Sequence, residues 1–294
     1  MNGVIVVNKP RDFTSFDVVA VLRGILKMKK IGHSGTLDPK ATGVLPVFIG
    51  DATKLCDYLP EDQKTYEAEM TLGIGTDTED IWGEVREEKE VRVSPEEVER
   101  AVLSFKGEYD QIPPMYSAKK IAGKKLYEYA RQGIEIKREP VRVEIFDICI
   151  TKMDLPRVCF TVTCSKGTYI RTLCCDIGKV LGLPACMSAL NRTVHGRFTI
   201  ENAKTPEEIE RYRDEGRLQE ILIPVSDLFD YPCVTVTGEG EQRLKNGNKL
   251  LKEQLQGELS EYIRVKDAEG RFKAIFRYNK DEDLYIPEKM FLNL

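Results

Sequence analysis

Gly3-Val4-Ile5-Val6-Val7 is a short continuous apolar run closed by Asn8-Lys9-Pro10, a pattern that predicts a strand followed by a turn. Thr14 then stands where an N-cap is wanted, and Phe16, Val19, Leu22, Ile25 and Leu26 recur behind it at helical spacing. Lys27, Lys29 and Lys30 finish that helix, where cations complement its dipole, and bring a basic end close to the loop that follows. Tyr66 to Leu72 alternates with period two, and Gly73 to Thr78 reads as the turn after it. That Gly73-Ile74-Gly75 has no third glycine and no clear helix behind it, so it does not make a nucleotide-binding loop. Ser94-Pro95-Glu96-Glu97 opens a second helix through Val98, Val102 and Phe105, and another is predicted near Leu126 to Tyr129. Val141 to Ile145 and Val158 to Cys164 return to strand character. Interspersed strands and helices predict an α+β fold around one mixed central sheet.

The polar segment Thr205 to Glu220 predicts a helix ahead of a linker, and the pattern changes near Ile223-Pro224-Val225-Ser226. Beyond it, Arg271 to Tyr278 alternates with Phe272, Ala274, Phe276 and Tyr278 on one face, and Asp267-Ala268-Glu269-Gly270 turns back to Tyr262 to Val265. Two units are therefore expected, residues 1–224 and a small β unit over 225–294.

At 294 residues and 41% hydrophobic, the chain is large enough for a substantial core. No apolar run approaches the roughly 20 residues of a membrane helix, and the amino terminus lacks a signal peptide's basic start, so a cytoplasmic protein without membrane contact is expected. The eight cysteines contain no Cys-x-x-Cys pair, and His33 and His195 are not spaced as zinc ligands. Reduced, mostly buried thiols and no metal are expected. A net charge of −4 argues against a nucleic-acid partner until its distribution is considered. Lys119, Lys120, Lys124, Lys125, Arg131, Lys137, Arg138 and Arg142 face only Glu128, Glu135 and Glu139 within one stretch. Acidic excess collects instead in Asp77 to Glu99 and Glu207 to Glu220, which is expected to face away from an RNA.

The chemistry concentrates in Gly32-His33-Ser34-Gly35-Thr36-Leu37-Asp38-Pro39-Lys40-Ala41-Thr42-Gly43-Val44-Leu45. Pro39 disfavours the helical region for Asp38, which places the carboxylate on an extended turn at a strand's mouth. Locally, a turn-forming aspartate explains as much. The whole string, however, closely resembles the active-site motif of pseudouridine synthases of the TruB family. Further resemblances are Lys64-Thr65-Tyr66, Ser165-Lys166-Gly167-Thr168-Tyr169-Ile170-Arg171-Thr172-Leu173, and Leu190 within Ser188 to Thr193. The resemblance runs over residues 3 to 200 and implies a catalytic unit over 1–224 with a basic RNA-clasping insertion at about 113–142. The small unit over 225–294 resembles a PUA domain through its size, its position and Gly240 to Gly247.

What the resemblance implies for residues is specific. Asp38 is the nucleophile that isomerises uridine 55 in the T loop of transfer RNA. Tyr66 stacks on the flipped uracil and takes part in proton removal, and Arg171 pairs with Asp38 and positions it. Tyr169 contacts substrate, His33 contacts the T loop, Leu190 lines the uracil pocket and Lys9, followed by Pro10, supports that pocket among the substrate-binding residues. The reaction breaks a glycosidic bond and joins C5 to the ribose without redox change, so no cofactor is expected. The expected partner is the T arm of transfer RNA, with no obligatory protein partner. An RNA-guided pseudouridine synthase subunit shares the Asp38 motif, and a non-catalytic protein that binds or folds transfer RNA remains the alternative from another class.

Overall fold

The computed structural model describes residues 1–56, 58, 63–121 and 123–291. Positions 57, 59–62 and 122 of the expected first unit, and 292–294 of the second, lie outside the described residues. The first apolar run forms β1 (Gly3–Lys9), and α1 (Ser15–Leu26) follows behind a Thr14–Asp17 capping box. Next come β2 (Ile31–His33), β3 (Thr42–Ile49) and β4 (Lys64–Leu72). The turn expected over Gly73 to Thr78 is confined at its start to Gly73, because Ile74–Thr76 forms β5 and pairs with β6 (Val85–Glu88). After α2 (Pro95–Leu103) and β7 (Gly107–Gln111), the basic insertion carries β8 (Lys120–Ile121), β9 (Lys124–Lys125) and α3 (Leu126–Ala130).

The chain then returns as β10 (Val141–Asp154) and β11 (Arg157–Cys164), crosses in α4 (Ile170–Val180), and closes the sheet with β12 (Ala185–His195) and β13 (Phe198–Thr199). Among the described residues nine strands form the central sheet, in the order β1-β3-β12-β4-β11-β10-β7, with β2 and β13 added alongside β3 and β12. The β3–β12 pairing is parallel and the others are antiparallel, which makes the sheet mixed. Helices α2 and α4 cover one face through Val98, Val102, Leu173 and Ile177 against Met70, Phe160 and Val162. Helix α1 and α5 (Pro206–Asp214) bury Val18, Leu22 and Ile209 against Ile5, Val7 and Val47. No helix among the described residues is long and apolar enough to cross a membrane.

The second sheet comprises β14 (Cys233–Val236), β15 (Leu255–Gln256), β16 (Tyr262–Lys266), β17 (Phe272–Asn279) and β18 (Leu284–Met290), with α6 (Gly240–Lys245) after β14. It has its own core of Val234, Val236, Leu244, Ile263, Val265, Ala274 and Phe276. Phe272 departs from the expected face. Val265 pairs with Ala274 but Lys266 with Phe272, so Lys273 is an extra residue in the ladder, and the bulge turns Phe272 to the opposite side. There Phe272, Ile275 and Phe291 join Val225, Leu228 and Phe229 against Val4, Val6, Val44 and Phe48. All eight cysteines are free, with Cys164, Cys174 and Cys186 buried and Cys149 and Cys233 exposed, so burial is less general than the sequence predicts.

Candidate active site

Asp38 lies between β2 and β3 on a loop that other elements hold at almost every residue. Arg192 donates to the Gly35 carbonyl at 2.6 Å, Ser15 accepts from the Leu37 amide at 2.9 Å, and the Pro39 carbonyl takes the Asp12 amide at 2.9 Å. Gly35 has φ +66° and packs so closely on the His195 ring that a Cβ would lie 2.3 Å from it. Gly43 has φ +102° and no room for a Cβ beside the Arg192 carbonyl, 2.2 Å away, which lets β3 and β12 meet in parallel. The start of α1, not its basic end, touches this loop; Lys30 pairs instead with Asp51 at 2.5 Å.

Arg171 comes from the first turn of α4. Tyr169, just before that helix, is pinned by Gln111, whose side chain accepts from its amide at 2.7 Å and donates to its carbonyl at 3.0 Å. The Arg171 guanidinium is 5% exposed and reaches the half-buried Asp38 with Nε 2.9 Å from Oδ2. Its remaining nitrogens donate to the carbonyls of Thr78 at 2.8 Å and Tyr116 at 2.9 Å. Carboxylate and guanidinium are therefore a fixed pair, the arrangement that keeps a carboxylate oriented in a partly dehydrated site.

The acidic segment predicted to face away begins beside this pair. Glu79 accepts from Thr172 Oγ1 at 2.6 Å, and burial raises its carboxyl above the usual range; burial raises Asp80 likewise. The reason is topological: the β5–β6 connection folds back along β12, with Ile81 donating to the Met187 carbonyl at 2.9 Å.

Asp38, Tyr66, Tyr169, Arg171 and Leu190 line one cavity of about 200 Å³, together with Lys64 and Arg192. Tyr66 on β4 pairs with Arg192 on β12, and Leu190 pairs with Ala68. Tyr66 is 7% exposed, and burial raises its phenol, with Arg192 acting against that shift. Its hydroxyl is therefore neutral at physiological pH, suited to stacking and hydrogen bonding rather than to acting as a phenolate.

His33 and Lys9 do not line the cavity. His33 is half-buried at the end of β2, where burial and then Arg192 lower its imidazole, leaving it neutral at pH 7. Lys9 corrects its sequence-based placement among substrate-binding residues. It is completely buried, and its ammonium donates to the carbonyls of Pro10, Phe13 and Pro39 at 2.9, 2.6 and 3.1 Å, which commits its three donors to the β1–α1 connection and the Asp38 loop. Burial brings it down to about 8, against the attraction of Asp38 and Asp12. Sequence reasoning missed Arg192 and Gln111, whose neighbours Asn191 and Ile112 carry no pattern that separates a buried anchor from a surface residue. Among the described residues no cluster of His, Cys, Asp and Glu could hold a metal.

This cavity, set between two loops at a parallel join in a mixed sheet, brings a carboxylate paired to a guanidinium beside a buried phenol. Comparison with known proteins supplies the family. The N-terminal domain of TruB family pseudouridylate synthase matches residues 23–170, and the C-terminal domain of tRNA pseudouridylate synthase B matches residues 171–230. The chain is 51% identical over 255 residues to tRNA pseudouridine synthase B of Alkaliphilus oremlandii, covering 85% of this chain and 83% of that protein. It is 48% identical over 307 residues to the protein of that name from Lachnoclostridium phytofermentans, covering 99% and 100%. A solved Cbf5-Nop10-Gar1 complex contains a chain similar at TM-score 0.73 and 25% identity, covering 98% of this chain and 84% of that one. The chain belongs to the TruB family of pseudouridylate synthases and is an isomerase.

Proposed function

We propose that this enzyme converts uridine 55 of the T loop of transfer RNA to pseudouridine, with Asp38 as nucleophile. The observation that carries the reading is the Asp38–Arg171 pair at 2.9 Å on the wall of a cavity that also presents Tyr66, Tyr169 and Leu190. The target base leaves its stack to enter, at a cost of a few kcal/mol that stacking on Tyr66 offsets by about 1–3 kcal/mol. Asp38 attacks C1′ or C6, the glycosidic bond breaks, and the enclosed base turns so that C5 bonds to C1′ while the bond to Asp38 breaks and frees the carboxylate. The C5 proton passes to solvent, with the Tyr66 hydroxyl taking part in its removal, which restores the ring, so atoms and electrons balance without a cofactor. His33 is placed to meet the T loop outside the cavity, and the basic insertion over about 113–142 to clasp the T-arm backbone, where phosphate contacts fix position rather than sequence. Residues 225–294 serve as a PUA-like RNA-binding unit, and the enzyme works in the cytoplasm.

Relatives named tRNA pseudouridine synthase B are 41–51% identical, against 25% for the chain of the Cbf5 complex, which supports an enzyme acting without guide RNA or partner proteins. Purified chain incubated alone with an unmodified T-arm hairpin is expected to form pseudouridine. Asp38→Asn should abolish that conversion while hairpin affinity stays within about a few-fold of the parent. Turnover by Asp38→Asn removes the nucleophile, and parent inactivity relieved only by guide RNA and partners favours the RNA-guided reading.

A further inference from the structure

Helices α1, α2 and α5 each begin with a capping box, in which the N-cap side chain and an acid three residues later, Asp17, Glu97 or Glu208, close the first turn. Helix α4 has neither part. Tyr169 stands at its N-cap with no side-chain bond to the first turn, and Ile170, Arg171 and Thr172 bring no acid. Among these four helices, the one that carries the guanidinium partner of Asp38 does least by its own sequence to hold its start.

The missing acid comes from another element. Glu79, in the β5–β6 connection, accepts from Thr172 Oγ1 at 2.6 Å, and Thr172 occupies the helical position that Asp17, Glu97 and Glu208 take in the other three. Next to it the Thr78 carbonyl takes Arg171 Nη1 at 2.8 Å, so two consecutive loop residues grip two consecutive residues of the helix. The grip is itself fixed. The Glu79 carbonyl accepts the Met187 amide at 3.0 Å, Thr78 Oγ1 donates to Asp80 Oδ1 at 2.8 Å, and Thr76 Oγ1 donates to the Asp80 carbonyl at 2.6 Å. Glu79 holds φ +65°, a left-handed conformation costly to an L residue, and in it the side chain reaches α4 while the carbonyl stays on β12.

We infer that Glu79 is a positioning residue for the reaction: by closing the first turn of α4 from outside the helix, it fixes the guanidinium that orients Asp38. It acts through Thr172 and Arg171, not on the substrate. The inference rests on the reading of Asp38 as the reacting carboxylate. Without Glu79 the helix start frays and carries the guanidinium with it, and a displacement of about 1 Å at a reacting group costs roughly 10²-fold in rate.

Glycine at position 79 removes the carboxylate and suits φ +65°, so the loop keeps its backbone. On the T-arm hairpin Glu79→Gly should lower kcat roughly 10- to 100-fold with KM within about threefold of the parent. Glu79→Gln, whose amide oxygen still accepts from Thr172, should restore most of the rate. Thr172→Val should cost a similar factor, and the two changes Glu79→Gly and Thr172→Val together no more than the larger single loss. Hydrogen exchange over residues 170–174 of the free protein should quicken in Glu79→Gly and Thr172→Val and return to the parent rate in Glu79→Gln. A Glu79→Gly rate within about threefold of the parent, a loss confined to KM, losses that multiply in the double variant, or Glu79→Gln as slow as Glu79→Gly would each overturn the assignment. If the parent makes no pseudouridine on the hairpin, the uridine reading fails and exchange alone decides whether Glu79 holds the helix start; unchanged exchange in Glu79→Gly rejects it in either case.

Discussion

Replacing Arg171 by lysine keeps the charge and removes the fork. The guanidinium serves three acceptors in different directions, Asp38 Oδ2 at 2.9 Å and the carbonyls of Thr78 and Tyr116 at 2.8 and 2.9 Å, from a position only 5% exposed. A lysine ammonium is a compact point charge on a flexible stem and cannot span all three. With one carbonyl left without a donor, the cost is about 1–3 kcal/mol, or a melting temperature lower by about 2–4 °C for each kcal/mol. The larger effect falls on Asp38, because a displacement of about 1 Å in a reacting group costs roughly 10²-fold in rate. Arg171→Lys is therefore expected to lower kcat about 100-fold with little change in affinity for the T-arm hairpin. Single-turnover release of tritium from hairpin labelled at uracil C5 measures the step directly, since that hydrogen leaves as the product forms. A rate within about threefold of the parent, or a loss confined to KM, would refute the positioning argument.

Replacing Lys119, Lys120, Lys124 and Lys125 by glutamine should weaken hairpin binding and lower the log–log salt slope by roughly 0.7–0.9 for each phosphate that is no longer neutralised. Lys124 and Lys125 lie 5.9 and 5.5 Å from the rings of Tyr129 and Tyr127, so an unchanged slope would assign them to local packing. Lys9 binds its proton with a value of about 8 in the fold and gives it up later when unfolded, near the ordinary 10.5. Between those values the unfolded chain holds more protons, so the Lys9 contribution to stability rises with pH, and the stability gap between parent and Lys9→Met should widen from pH 8 to 10.5. A gap that narrows reverses the sign. Ending the chain after Pro224 exposes Val4, Val6, Val44 and Phe48, at about 1.5–3 kcal/mol for each large side chain, which sums to the roughly 5–15 kcal/mol of a whole domain. That fragment should aggregate, whereas ending after Pro232 keeps Val225, Leu228 and Phe229 in place and should leave turnover on a minimal hairpin with a higher KM on whole transfer RNA. A soluble, active 1–224 fragment would show that the shared cluster is dispensable.

Much of this architecture is legible in the chain because local signals agree with the fold. The helix starts at Thr14 and Ser94 carry complete capping boxes, and the α+β reading follows from where apolar periods switch. The losses have identifiable causes. Lys273 introduces a bulge that no composition signals, and one extra residue moves Phe272 from one core to another. Val141 to Ile145 reads as strand but β10 runs on to Asp154, where exposed Lys152 and Asp154 mask a stretch that pairs with β11 and packs Ile148, Ile150 and Met153 against the core. Within the site, motif resemblance reaches five of the residues that line the cavity, yet it assigns no role to Gln111 or Arg192. Their anchoring roles depend on partners 58 and 157 residues away, Tyr169 and Gly35, and such contacts leave no periodicity to read.

Those distant contacts also explain how an irregular loop can hold one carboxylate in place. Asp38 has no regular structure of its own, and its side chain is 42% exposed, so intrinsic rigidity cannot hold it. Its position is instead imposed from β1 by Lys9, from α1 by Ser15, from β12 by Arg192 and from α4 by Arg171. Arg171 is in turn set by Gln111 of β7, through Tyr169, and by the loop carrying Thr78. Each link is one or two polar contacts of modest net worth, about 0.5–1.5 kcal/mol for a neutral hydrogen bond and about 1.5–3 kcal/mol where a charged group takes part. Together they triangulate one carboxylate from five elements of the same sheet assembly, so loss of one anchor shifts the load to residues that share its partners. Effects of substitutions along this set are therefore coupled rather than additive, as expected when groups share one network.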